Sequence, residues 1–263
     1  MTVTKLKIAV AQIDIAFGKP AVNFQKVETF VKKAATQKVD IVAFPEMWNT
    51  GYALTELDQL ADSDGLQTQA LLSRLAKENQ LYIFGGSVAT KEAGKFYNTT
   101  YVYDPKGQLL TTYRKVHLFG LMHEGDHLDA GAAETHFNIG RIAATNVICY
   151  DIRFPEWLRK LSAAGSSLIF VPAEWPTVRI KQWARLLAAR AIENQSFVVA
   201  INRVGSDPDN AFGGHSLVLD PLGDAILTLG DQEELGIAEI DLDQIPAIRG
   251  EIPVFEDRRP ELY

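Results

Sequence analysis

Apolar residues along this chain fall into two rhythms. Short unbroken blocks occur at Lys7-Ile-Ala-Val-Ala-Gln-Ile13, Asp40-Ile-Val-Ala-Phe-Pro-Glu46, Leu81-Tyr-Ile-Phe-Gly-Gly-Ser-Val88, Arg141 to Cys149, Ser167-Leu-Ile-Phe-Val-Pro172 and Phe197-Val-Val-Ala-Ile201. Blocks of this length and continuity suit strands buried on both faces. Between them, apolar residues recur every three or four positions. Phe24, Val27, Phe30, Val31 and Ala34 predict a helix over Asn23–Gln37, with Asn23 as its cap. Leu71, Leu72, Leu75 and Ala76 predict a second over Gln67–Asn79. Pro155 suits the first turn of a third over 155–164, and Thr177–Asn194 forms a long fourth. Two hairpins interrupt the alternation, turning at Asp104-Pro-Lys-Gly107 and Asp220-Pro-Leu-Gly223. Gly236–Ile240 is a last strand, and the tail from Pro246 to Tyr263 reads as irregular.

Alternating elements with antiparallel hairpins among them point to an α/β layered fold. A sheet-on-sheet core with helices outside fits better than a single doubly wound sheet. Asp40-Ile-Val-Ala-Phe-Pro-Glu-Met-Trp48 echoes Ser167-Leu-Ile-Phe-Val-Pro-Ala-Glu-Trp175, as two similar halves in two layers would. No linker-like tract divides the chain, so a single domain over residues 1–263 is expected, with 246–263 as its tail.

Composition narrows the function. A net charge of −7 without a basic cluster argues against nucleic acid as a partner. No apolar run is long enough to span a bilayer, and Met1 to Lys7 holds no apolar leader, so a cytoplasmic protein is expected. One cysteine cannot form an internal disulfide, which suits a reducing compartment.

That cysteine, Cys149, sits where an apolar strand meets a helix. Such a corner lifts a side chain out of the sheet and leaves backbone N–H groups free beside it. A nucleophile and a buried filler thiol are both compatible with the position. Glu46 ends a wholly apolar strand, where α/β sheets bind ligands, or where a loop glutamate is simply solvated. Lys115 ends the second strand of a hairpin and is either a thiol's neighbour or an edge lysine. His123-Glu-Gly-Asp-His127 spells the H-E-x-x-H of zinc proteases. Gly125 and Asp126 in its middle disfavour the helix that motif needs. The later Gly131 and His136 miss the longer zincin spacing. His117 shares a strand face with Lys115 and is the nearest histidine for a Cys–His hydrolase. No G-x-S-x-G or phosphate-binding glycine loop occurs.

Taken together, Phe44-Pro-Glu46, Arg114-Lys115-Val-His-Leu-Phe119 and Ile148-Cys-Tyr-Asp-Ile-Arg-Phe-Pro-Glu156 resemble the nitrilase superfamily of carbon–nitrogen hydrolases. Arg190 to Asn194 and Arg258 to Tyr263 support the resemblance, which covers essentially the whole chain. It implies a four-layer α-β-β-α sandwich, commonly paired into a homodimer. It implies a Glu-Lys-Cys triad on Glu46, Lys115 and Cys149, with no metal or other cofactor. A further family glutamate falls on Glu124, with Asp126 as the competing carboxylate. The Tyr150 N–H would complete an oxyanion site with Lys115. Cys149-Tyr-Asp-Ile-Arg-Phe-Pro-Glu156 and Glu174-Trp-Pro look most like the omega-amidase branch, which cleaves the side-chain amide of dicarboxylate monoamides such as 2-oxoglutaramate. Arg153 would then bind a substrate carboxylate or pair with Asp151 or Glu156. Tyr52, Phe119 and Trp175 would line the pocket. Nitrile hydrolysis, N-carbamoyl amide cleavage and a non-catalytic binding role are the alternatives.

Overall fold

The computed structural model describes residues 5–262. The N-terminal residues 1–4, read as part of the chain's start, and Tyr263, read as the tail's end, lie outside them.

Two sheets stack face to face. The first orders Glu234–Asp241, Lys5–Gln12, Ile41–Ala43, Tyr82–Phe84 and Lys95–Tyr103; the last of these also pairs with Val88–Glu92 and Leu109–Arg114. The second orders Ala225–Thr228, Leu217–Leu219, Phe197–Asn202, Leu168–Ala173, Ile142–Asn146 and Phe137–Ile139. Strand alternation sorts the apolar residues between layers. Ile8, Val10, Ile41 and Ala43 face Phe170, Phe197 and Val199 across the sheets. Phe84 and Phe170 stack there with centroids 4.6 Å apart. The intervening positions, Ala9, Ala11 and Val42, face Val27, Phe30 and Leu75 of the helices Pro20–Thr36 and Leu66–Asn79. On the other side, Ile169, Val171, Val198 and Ala200 meet Leu158, Leu161, Trp183 and Leu187 of Pro155–Ala163 and Ile180–Asn194. The layers therefore run α-β-β-α, as expected. Central strands buried on both faces explain their unbroken apolar sequence.

Three expectations need correcting. Asn23 does not cap the first helix: Lys19 is the cap residue, Pro20 follows it, and Asn23 is buried inside the first turn. Its amide instead ties two loops, accepting from the Ala16 N–H at 2.9 Å and donating to the Asn49 carbonyl at 3.1 Å. The 81–88 block is two strands, broken at Gly85-Gly86. The tail begins inside a helix, Gln244–Glu251, whose Ile245 closes the end of the inter-sheet core. The apolar face of Ile180–Asn194 packs on the second sheet through Trp183, Leu187 and Ala191.

The Gly85-Gly86 break positions the turn that carries Glu46. Gly86 adopts φ of +62°, and an added Cβ would fall well inside contact with the Phe44 and Pro45 carbonyl oxygens. Around it, the Met47 N–H donates to Ser87 Oγ at 3.0 Å and the Trp48 indole donates to the Gly85 carbonyl at 2.7 Å. The segment is a cradle for the Pro45–Trp48 turn. Gly86→Ala should cost about 2–4 kcal/mol, since both the dihedral and the backbone approach forbid a side chain. A denaturant melt showing a loss below about 0.5 kcal/mol would contradict this.

Candidate active site

Three strand ends converge at one edge of the sandwich. Ile41–Ala43 delivers Glu46 through the Pro45 turn. Leu109–Arg114 ends immediately before Lys115. Ile142–Asn146 runs through Val147 and Ile148 to Cys149, which opens a short 3₁₀ turn, Cys149–Arg153. Cys149 itself has φ of +46°, unusual for a residue with a side chain. This backbone turns sharply and presents the sulfur to a cleft.

Glu46, Lys115 and Glu124 are all buried. Lys115 Nζ donates to Glu46 Oε1 at 2.8 Å and to Glu124 Oε1 at 2.6 Å. Tyr52 Oη lies 2.7 Å from Glu46 Oε1 and 2.5 Å from Glu124 Oε1, so its one proton serves either carboxylate in turn. Asn98 Nδ2 adds a 2.8 Å bond to Glu46 Oε1, and the Glu174 N–H a 2.9 Å bond to Glu46 Oε2. Cys149 lies close enough to Glu46 for the carboxylate to act on its thiol. Every candidate of the triad thus meets the others, with Glu46 at the centre.

Electrostatics set the resting protonation. Burial pushes the Cys149 thiol well above its ordinary value, and the Glu46 charge adds to this against the pull of Lys115. Burial alone would lower Lys115, but the Glu124 and Glu46 carboxylates outweigh it and hold the ammonium charged. Burial raises Glu124, opposed by Lys115 and reinforced by Glu46. The site therefore rests with a neutral thiol, a firm cation and, in Glu124, a carboxyl group that holds a proton more readily than usual.

Glu124 and Asp126 are now separated. Asp126 is exposed and bonds His123 Nδ1 at 3.0 Å, far from any role beside the thiol. The apparent zinc motif dissolves for the same local reason. His123 sits at φ of +57° before a helix of only four residues, Glu124–His127, and its ring points into solvent. Among the described residues, no group of His, Cys, Asp and Glu is arranged to hold a metal ion.

His117 does not face the sulfur. Its Nδ1 lies 2.7 Å from Asp151 Oδ1 and its ring stacks on Phe154 at 3.7 Å. Asp151, fully buried, also accepts from Tyr113 Oη at 2.8 Å, the His117 N–H at 2.9 Å and the Ile148 N–H at 2.9 Å. One carboxylate thus fastens the chain just after Lys115 to the chain just before Cys149. With Asp151 so engaged, it is not the partner of Arg153. Arg153 instead lies over the Trp175 ring at 5.1 Å and lines the cleft.

The narrow cleft is walled by Phe119, Met122, Cys149, Tyr150, Arg153, Glu174, Trp175, Pro176 and Arg179. Phe119, Arg153 and Trp175 fall where expected. Tyr52 does not: it belongs to the carboxylate cluster behind the sulfur. Sequence reading missed Arg179, which lies over the Phe119 ring at 5.6 Å, and Asn98. Neither stands in a motif or a periodic face. Glu174 stands out in the sequence only as the start of Glu174-Trp-Pro. At the turn itself, the Ile148 N–H is taken by Asp151 Oδ2 and the Asp151 N–H by the Ile148 carbonyl at 3.0 Å. The Tyr150 N–H carries neither bond and lies directly beyond the sulfur-bearing residue.

Comparison with known proteins agrees with this geometry. The carbon-nitrogen hydrolase family profile matches residues 7–249. A 2-oxoglutaramate amidase of Bacillus subtilis is 46% identical over 259 residues, covering 98% of this chain and 100% of that protein. A human omega-amidase (Homo sapiens) is 32% identical over 269 residues, covering 99% of this chain and 97% of its own length. Among solved structures, the nitrilase-superfamily protein Nit3 of Saccharomyces cerevisiae superposes with a TM-score of 0.90 at 28% identity, over 97% of each chain.

Proposed function

The chain belongs to the carbon–nitrogen hydrolase family, and from that premise we propose that it is a cysteine-dependent omega-amidase whose substrates are dicarboxylate monoamides such as 2-oxoglutaramate. The observation that carries the chemistry is the buried Glu46–Lys115–Glu124 cluster behind a cleft-facing sulfur.

The neutral thiol waits for substrate. As Cys149 Sγ attacks the amide carbon, its proton passes to Glu46, and the carbonyl oxygen gathers charge. Lys115 Nζ and the Tyr150 N–H stabilise that oxyanion. Loss of one such donor typically costs about 100- to 1000-fold in rate. The C–N bond breaks as Glu46 returns the proton to nitrogen, and ammonia leaves. Water, deprotonated by a carboxylate of the cluster, then attacks the thioester carbon. The C–S bond breaks, the acid departs and the thiol is restored. The thiol proton leaves on ammonia, and the proton taken from water restores the thiol.

Charge supports the dicarboxylate reading. Two guanidiniums, Arg153 and Arg179, stand at the cleft, each over an aromatic ring. A small amide with a distal carboxylate places its anion there, whereas a neutral nitrile has no use for them. Arg153→Met should raise KM for 2-oxoglutaramate about 10- to 100-fold, the worth of a charged hydrogen bond. KM for uncharged pentanamide should hardly move; a parallel rise for both would remove Arg153 from carboxylate binding.

The direct assay is incubation with 2-oxoglutaramate. Ammonia and 2-oxoglutarate should appear in equal amounts and should not respond to chelators. Failure to release either product would reject the proposal. A homodimer and a cytoplasmic location follow from the same family reading, the first open to light scattering.

A further inference from the structure

We infer that Glu174 is the acceptor that holds the scissile amide nitrogen, and so selects amides over esters. This rests on the amidase reading and adds a residue to it.

Glu174 lines the cleft beside Cys149 and is completely buried. Its Oε2 is engaged by Arg203 Nη1 at 2.8 Å. Its Oε1 is buried with no partner, the single such side-chain atom on any described cleft-lining residue. A buried carboxylate oxygen without a donor is costly unless something arriving in the cleft supplies one.

The arriving substrate has donors to place. A primary amide brings two N–H groups to the sulfur, while its oxygen is already matched to Lys115 and Tyr150. Glu46 has little capacity left to receive them. Its Oε1 takes Lys115, Asn98 and Tyr52, and its Oε2 takes the Glu174 N–H. The Glu174 backbone bond also fixes the residue against Glu46, the group that returns a proton to nitrogen. Glu174 Oε1 is therefore placed to hold one N–H while Glu46 protonates the same atom as the C–N bond breaks. An ester presents an alkoxy oxygen there and has nothing to donate.

Near neutral pH the Glu174 carboxyl rests largely protonated, so an arriving donor must draw out its charged form. Burial lifts Glu174 to about 8, opposed by Arg203 and reinforced by Glu46 and Asp207. An N–H donated to Oε1 favours the charged form, so substrate binding and ionisation assist each other. Arg203 keeps the carboxylate in place, since it is itself buried and anchored to the Ile15 and Val204 carbonyls.

The test is Glu174→Gln, assayed on 2-oxoglutaramate and on the omega-methyl ester of the same acid. Arg203 demands an oxygen, so the glutamine carbonyl turns towards it and the NH2 faces the cleft. A donor then meets the amide N–H. The ratio of kcat/KM for amide over ester should fall about 10- to 100-fold from the wild-type ratio. An unchanged ratio overturns the assignment. Should that chain fail to fold, Cys149→Ala retains Glu174 and binds without turnover. By calorimetry it should hold the amide at least about tenfold tighter than the ester; equal affinities overturn the assignment equally. The two levels fail separately. Full activity in Cys149→Ala would sink the thioester chemistry, whereas an unchanged amide-to-ester ratio with a Cys149-dependent reaction sinks Glu174 alone.

Discussion

Cys149→Ala should abolish ammonia release, by at least about 10,000-fold in kcat, while leaving the fold intact. Losing a covalent nucleophile typically costs this much or more, because the remaining groups assist only a step that no longer begins. Little structural penalty is expected. Glu46, the carboxylate beside the sulfur, keeps its four donors without it. The Cys149 backbone is held from either side by Asp151 and by strand pairing, neither of which uses the thiol. Intact mass makes the claim sharper. Wild-type protein quenched during turnover should carry an acyl group on Cys149, and the alanine chain none. Comparable ammonia release by both chains would mean that some other group performs the attack.

The layers of this fold were legible because burial on both faces writes itself as continuous apolar strands. Ile41–Ala43, Leu168–Ala173 and Phe197–Asn202 show it without ambiguity. Element ends were less legible. Asn23 has the chemistry of a cap, but Pro20 three residues earlier starts the helix, and Asn23 then serves loops that only the fold brings near. Gly85-Gly86 looked like a pause inside a strand, because its function is to admit the backbone carbonyls of Phe44 and Pro45 from a distant part of the chain.

The site followed the same division. Glu46, Lys115 and Cys149 stand at strand ends within motifs of family spacing, so one sequence could name them. Glu124 and Asp126 could not be told apart until burial separated them. For Arg153 a structural pair with Asp151 or Glu156 was the preferred reading, and Asp151 proves to be engaged elsewhere. That carboxylate is saturated by Tyr113, His117 and Ile148, partners separated from it by up to 38 positions. Arg179 and the free oxygen of Glu174 had no local signal at all. Their roles arise from which walls of the cleft meet, a long-range property that periodicity does not encode.

Lys115→Met tests the cluster as a unit, and its effect should depend steeply on pH. The ammonium lies between two buried carboxylates at 2.8 and 2.6 Å, so removing it leaves charge without compensation. Breaking a buried pair from one side typically costs about 3–5 kcal/mol. The methionine chain can avoid part of that cost by binding protons. With the cation gone, Glu124, which burial already raises against the pull of Lys115, is protonated more readily in the folded than in the unfolded chain. A carboxylate raised on folding contributes its stability below the unfolded value of about 4.5 and loses it as pH rises through the folded one. Lys115→Met should therefore melt near the wild-type temperature at about pH 5 and many degrees below it at about pH 8. Activity should be absent at both, because the oxyanion donor is gone whatever the carboxylates do. Equal destabilisation at the two pH values would mean that the carboxylates do not depend on Lys115 for their charge. The proton traffic assigned to Glu46 would then have lost its physical basis.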